Sequence, residues 1–367
     1  MPDNSSAVTA ILVAVLIVLL VILIGGGLFV LFMSYTDKLF KRIFRRPKPL
    51  PQVDRSPKKI DRSTIIGRGK NWFYTFHNEW LGVRVTSFDG CKLSGYYRPS
   101  SDSTCRNMVI LVHGYDESPA EMAAYARLMM RKVQCHCLIT HMRGHGMSGG
   151  KNFTWGLMES VDLDAWYEFT KRRLGNNCRI YLVARGAGAT ACLLAAQQKE
   201  FERCVCGIIA DSPMSSLNAF LRNNLPNSTK LPPEWLIGSI RKSAQRQFGF
   251  DINRCDAATH ASSIKIPVLI FQGGEDEVTT PSDTREIYDN LRCRKRMVIV
   301  NNAKHMECYE RSQAMYECPP GHRARGAKCP APLPTQATSG PGVMGGPDPF
   351  LQLSLSPRMQ HRELGPR

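Results

Sequence analysis

The chain has 367 residues, with 48 Lys+Arg against 31 Asp+Glu and a formal net charge of +17. Apolar residues at 43% and charged residues at 22% exclude global disorder and a multi-span membrane protein, and leave ample chain to bury a core. Thirteen cysteines, an odd number without a repeating spacing, argue for reduced thiols and against a secreted disulfide scaffold.

A short flank, residues 1–10, carries Asp3 and no Lys or Arg. Residues 11–33 (ILVAVLIVLLVILIGGGLFVLFM) are uncharged. As a helix they span about 34 Å at 1.5 Å per residue, enough to cross a hydrocarbon core about 30 Å thick. A cleaved signal peptide calls for a basic start and a shorter apolar stretch, so the segment reads as a single-pass transmembrane anchor. The basic, Pro-containing linker 34–69 follows, and residues 37–70 hold 12 Lys/Arg and three Asp. The positive-inside rule then places everything after the anchor in the cytoplasm. Because this charge directly follows a membrane segment, its expected partner is the bilayer and not nucleic acid. It either lies on anionic headgroups or serves as a solvated tether.

From 70 to 316, short β-rich runs alternate with helical patterns. Strands are expected at 82–88, 92–97, 107–112, 135–140, 178–184, 205–210, 266–271 and 296–300. Helices are expected at 118–132, 157–174, 187–199, 233–247, 281–291 and 306–316. Two antiparallel-looking strands followed by alternating β and α elements predict an α/β domain with a mostly parallel sheet. Near-continuous apolar strands such as Met108–Val112 suit a sheet covered on both faces. The long segment 213–250 replaces a simple crossover and predicts a small helical lid. Its Leu217, Phe220, Leu221, Trp235, Leu236 and Ile237 offer either an apolar ceiling or ordinary packing. The Pro- and Gly-rich tail 317–367 lacks a hydrophobic period and is expected to be disordered. Cys318, His322 and Cys329 in it match no common zinc spacing, so neither metal nor cofactor is expected.

Six motifs recur in order along 70–316: VHGYDES (112–118), MRGHGMSGG (142–150), ARGAG (184–188), ADSPMSS (210–216), FQGGEDEV (271–278) and NAKHM (302–306). Together they resemble the α/β-hydrolase superfamily, in particular its serine-aminopeptidase and lysophospholipase-like branch. The resemblance implies an α/β-hydrolase fold and ester or amide hydrolysis by a serine nucleophile. In the family the strand-to-helix elbow reads small-x-Ser-x-Gly. Here it reads Ala184-Arg185-Gly186-Ala187-Gly188, so Gly186 stands at the nucleophile position.

The resemblance assigns the general base to His305 and its orienting carboxylate to Asp276, with neighbouring Glu275 and Glu277 leaving the register open. The amides of Tyr115 and Ala187 match the oxyanion donors. His113 reads as structural, and His141 stands where the family loop usually begins with Asp. Ser148, Thr190 and Cys192 do not replace the missing serine. Three readings follow. The first is a catalytically impaired, membrane-anchored relative of serine esterases, lipases and peptidases that keeps a pocket for an acyl or lipidic ligand or a partner. The second is an active hydrolase in which His305 and Asp276 activate water, and the third is a degraded copy of an active enzyme.

Overall fold

A computed structural model of the chain describes residues 4–45, 60–225 and 231–317. The linker residues 46–59, the lid residues 226–230 and the tail from 318, with Cys318, His322 and Cys329, lie outside the described residues. The chain divides into two compact units, residues 1–45 with 226–251 and residues 46–225 with 252–367.

In the first unit, helix α1 runs Asn4–Phe44. The apolar stretch read at 11–33 therefore continues as helix for a further three turns, because no Pro or Gly interrupts residues 34–44. Its large apolar side chains from Val8 to Leu31 are exposed. Among the described residues α1 is the one helix long and apolar enough to cross a bilayer, and by length and position it fits a membrane anchor or a signal sequence.

In the second unit, α2 (Ile65–Thr75) precedes the hairpin β1 (Leu81–Thr86) and β2 (Lys92–Arg98). Then come β3 (Asn107–Val112), α3 (Ala123–Lys132), β4 (His136–Thr140), α4 (Leu157–Leu174), β5 (Arg179–Arg185) and α5 (Gly186–Ala195). The chain continues through β6 (Val205–Asp211) and α6 (Leu217–Asn224). Helix α7 (Pro233–Phe248) belongs to the first unit. The second unit resumes with β7 (Val268–Gly273), α8 (Pro281–Asn290), β8 (Lys295–Val300), α9 (Cys308–Arg311) and α10 (Gln313–Glu317).

The eight strands form one sheet in the order β1-β2-β4-β3-β5-β6-β7-β8. The pairs β1–β2 and β2–β4 are antiparallel, and every pair from β4–β3 onward is parallel. This is the α/β-hydrolase architecture, a mostly parallel sheet flanked by helices. Met108, Val109, Ile110, Leu111 and Val112 are all buried, as are the six residues of β7. Both faces of the central strands are covered, and each large apolar side chain among these contributes about 1.5–3 kcal/mol by leaving water.

Three elements differ from the sequence expectation for identifiable reasons. Helix α2 straddles the expected linker boundary at 69/70, and tertiary contacts supply its start. Thr64 caps Gly67 N–H at 2.9 Å, and the Ile65 and Ile66 amides donate to the Glu310 carboxylate at 2.8 and 3.1 Å. The strand expected from 266 begins at Val268, since Pro267 has no N–H for the ladder. The helix expected over 306–316 breaks at Ser312 into α9 and α10. The break turns Tyr316 inward, where it stacks on Phe271 with ring centroids 3.7 Å apart.

Candidate functional site

Strand β5 passes into α5 with no intervening residue, and Gly186 stands at the junction with φ +50°. A side chain in this left-handed geometry costs of order 1–3 kcal/mol, whereas glycine adopts it freely. Two residues on, α5 lies so close to β3 that a Cβ on Gly188 would run into the carbonyls of Val112 and His113. The turn is thus a tight elbow at the carboxyl end of the central strands, where open α/β sheets place their sites.

The loops after β7 and β8 meet opposite this elbow. His305 Nδ1 donates to Asp276 Oδ2 at 2.9 Å and lies 3.1 Å from the Thr279 hydroxyl. Asp276 Oδ1 accepts the amides of Val278 and Thr279 at 2.9 and 2.8 Å. Burial works to raise the Asp276 pKa. The His305 hydrogen bond, the charge of His305 and the Thr279 contacts outweigh that effect and hold the carboxyl below its ordinary value. Asp276 is 3% exposed while Glu275 and Glu277 face solvent, which resolves the register among the three acids. With Nδ1 engaged, the lone pair of His305 Nε2 faces the elbow. A Cβ on Gly186 would lie 3.5 Å from that nitrogen, a position from which a hydroxyl reaches an imidazole.

Sequence reasoning missed two residues that shape this space. Met306 has φ +58° and is held at both ends, its amide donating to Ser212 Oγ at 3.2 Å and its carbonyl accepting Arg185 Nη2 at 2.6 Å. Its thioether lies between the elbow and the loop after β3. A Cβ on Gly186 would be 2.8 Å from Met306 Sδ, and a Cβ on Gly114 would be 2.6 Å from the same atom. The second residue is Arg185. Buried beside Gly186, it pairs with Glu117 Oε1 at 3.0 Å, and its guanidinium sits 5.6 Å from the Tyr125 ring centre. Glu117 Oε2 in turn accepts the Gly114 amide at 2.7 Å. One guanidinium therefore ties the loop bearing Tyr115 to the loop bearing His305. The only sequence signal for it was a charged residue inside an apolar strand.

Asp211, at the end of β6, is fully buried and accepts the Tyr316 hydroxyl at 2.8 Å. Burial pushes its pKa up, opposed by the charge of Arg185 and the hydroxyls of Tyr316 and Ser212.

The amide of Ala187 is in the first turn of α5, where backbone N–H groups have no partner within the helix. Tyr115 lies on the facing loop, and its ring stacks on Trp155 at 4.6 Å, which packs on Phe220 of α6 at 4.5 Å. Trp155 also has a positive φ, +59°. The buried Glu159 carboxylate braces this turn by accepting the Thr154 and Gly156 amides at 2.9 and 2.8 Å.

The other candidates are engaged elsewhere. His113 accepts the Met142 amide at 3.2 Å and donates to the Gly114 carbonyl at 2.7 Å, a purely internal arrangement. Ser148 Oγ donates to the His141 carbonyl at 2.7 Å and accepts the Ser94 amide at 2.9 Å. Thr190 Oγ1 accepts the Met214 amide at 2.9 Å, and Cys192 is buried with its thiol pKa pushed up by burial. Among the described residues no three His, Cys, Asp or Glu side chains gather to hold a metal ion.

His141 is buried, and neither ring nitrogen has a hydrogen-bond partner among the described residues. Burial, reinforced by His113, lowers its pKa from 6.5 to about 3. A depressed histidine pKa gives stability that is complete above the unfolded value and is lost as pH falls below it. We expect this histidine alone to cost about 2 kcal/mol at a pH of about 5. His141→Phe should flatten the acid limb of Tm against pH between about 6.5 and 4. An unchanged acid limb would show that other groups carry the acid sensitivity.

Comparison with known proteins agrees with this architecture. The family model for serine aminopeptidase, S33, matches residues 103–246 and 252–312. The uncharacterized protein YqkD of Bacillus subtilis (strain 168) is 25% identical over 266 residues, covering 71% of this chain and 85% of YqkD. The uncharacterized protein YfhR of Escherichia coli O157:H7 is 21% identical, covering 62% and 74% of the two chains. Among solved structures, the esterase Pf2001 of Pyrococcus furiosus superposes with a TM-score of 0.55 at 22% identity, covering 75% of this chain and 94% of the esterase. That likeness is one of fold. With the matched model spanning more than half of its residues, the chain belongs to the serine aminopeptidase S33 family of the α/β-hydrolase superfamily.

Proposed function

We propose that this is a membrane-anchored member of the family in which the acyl-enzyme step has been lost at Gly186, while the residues that would serve a serine there are retained. The observation that carries the reading is the elbow itself. Gly186 has the left-handed backbone of a nucleophile position, and its missing side chain would fall within reach of His305 Nε2. In this reading His305 is the base, Asp276 fixes its tautomer, and the amides of Tyr115 and Ala187 face the oxyanion. None of them supplies the hydroxyl that forms the family's acyl-enzyme.

What remains is a site for binding an acyl or lipidic ligand, walled on one side by Tyr115, Trp155 and Phe220. Helix α1 serves as the anchor. Its N-terminal flank lacks Lys and Arg while basic residues follow it, which supports a cytoplasmic hydrolase-like domain.

A fluorophosphonate probe, which needs an activated nucleophile, should leave the native chain unlabelled across residues 70–316. Peptide mapping of any adduct in that region would overturn the reading. The intact His305–Asp276 pair favours one second reading, direct activation of water. Slow ester hydrolysis by the native chain that disappears in His305→Ala would support that alternative, again without probe labelling.

A further inference from the structure

Helix α7 belongs to the same compact unit as α1, and their contacts fix both register and direction. Ser239 Oγ donates to Thr36 Oγ1 at 2.9 Å. Farther along both helices, the Phe248 ring lies 5.3 Å from that of Phe40 and 5.6 Å from that of Phe44. Contacts thus advance together along both helices, so α7 runs parallel to α1. Moving back one turn from Ser239, about 6 Å at 1.5 Å per residue, brings α7 to Trp235, level with Phe32 of α1. Phe32 lies at the end of the uncharged stretch.

There the start of α7 and the residues just before it present apolar surface that the fold does not cover. Trp235 is 64% exposed and Leu231 is 38% exposed. On the other side of the Thr36–Ser239 contact the composition inverts. Helix α1 carries Lys38, Lys41 and Arg42, offset only by Asp37, with Arg45 directly after it, and α7 carries Arg241, Lys242 and Arg246. The exposed aromatic and aliphatic residues therefore continue the exposed apolar band of α1, and the cations of both helices begin about one turn farther along. This is the layering of a bilayer boundary, where Trp belongs at headgroup depth and Lys and Arg on the cytoplasmic side of it.

From this continuity we propose that the N-terminal turn of α7 and the residues just before it form a second membrane contact, with Trp235 and Leu231 seated in the interfacial layer of an anionic phospholipid bilayer. The inference rests on α1 being a membrane anchor. It adds that residues 231–251 meet the same bilayer surface as α1.

The test uses the full chain reconstituted in phosphatidylcholine–phosphatidylserine vesicles containing phosphatidylcholine brominated either near the glycerol or near the methyl end of its acyl chains. Trp235 is one of five tryptophans, so its signal is read as the difference between the native chain and Trp235→Phe. We expect shallow bromines to quench the native emission more than deep ones, and Trp235→Phe to lose most of that shallow quenching. Leu231→Trp in the Trp235→Phe background should restore it.

Vesicle flotation separates the possible failures. If the chain floats with the vesicles but Trp235→Phe is quenched like the native protein, the second contact is overturned while the anchor stands. Stronger quenching of Trp235 by deep bromines than by shallow ones would overturn its interfacial position. If the native chain does not float, the anchor reading falls and the inference falls with it.

Discussion

Gly186→Ser combined with Met306→Ala is expected to raise hydrolysis of short activated esters above the native chain's level by on the order of 10²–10³-fold. The new hydroxyl would be within reach of His305 Nε2, whose other nitrogen is already held by Asp276 at 2.9 Å. The serine must adopt φ near +50°, so a stability loss of about 1–3 kcal/mol accompanies the gain. Gly186→Ser alone should be at least about tenfold poorer than the double variant. Its Cβ meets the Met306 thioether, which also lies against Gly114. That atom is the far end of a flexible side chain and can swing aside, so the single variant should fold. Adding His305→Ala should abolish the gain. If the folded double variant hydrolyses nothing above the native chain, the loss of function extends beyond the nucleophile and binding or scaffolding becomes the better reading.

Arg185→Met is expected to give the largest loss of stability among single changes near the site, about 3–5 kcal/mol. The native guanidinium is buried and pairs with Glu117 at 3.0 Å, and its charge also opposes the burial that pushes the Asp211 pKa up. Removing it strands two acidic groups in an apolar setting, and the Met306 carbonyl loses its donor at 2.6 Å. For a domain of this size the change corresponds to a fall in Tm of about 10 °C, read by near-ultraviolet circular dichroism of the full chain in detergent. Arg185→Lys should recover part of the loss, since it restores the charge without the fork of donors. If Arg185→Met melts with the native protein, the carboxylates are neutral in the fold and the ion pair contributes nothing.

Much of this molecule was legible before any coordinates. The uncharged stretch 11–33, the order of strands and helices, and the six motifs all depend on local chemistry. Apolar periodicity, turn residues and the spacing of short motifs are properties of neighbours in sequence. Helix α4 fell on its expected residues, 157–174, because its pattern is long and its start and stop are both glycine. The glycine at 186 was equally visible, since a motif with one altered position is still read from its flanks.

What only the tertiary structure decided are relations between residues far apart in the chain. Burial selected Asp276 over Glu275 and Glu277, because one of three adjacent acids turns toward His305 and the other two toward water. Helix α2 depends on Glu310 for its first turn, a contact across more than two hundred residues. Arg185 read as an oddity in an apolar strand until Glu117 and the Met306 carbonyl closed around it. Met306 read as one more methionine after a histidine. Its place against both Gly114 and Gly186 arises because the loops after β3, β5 and β8 converge at the carboxyl end of the sheet, a fact of strand order that no local pattern encodes. Helix α7 was expected as part of a lid and was found packed along α1, since the partner for its buried face lies some two hundred residues earlier in the chain.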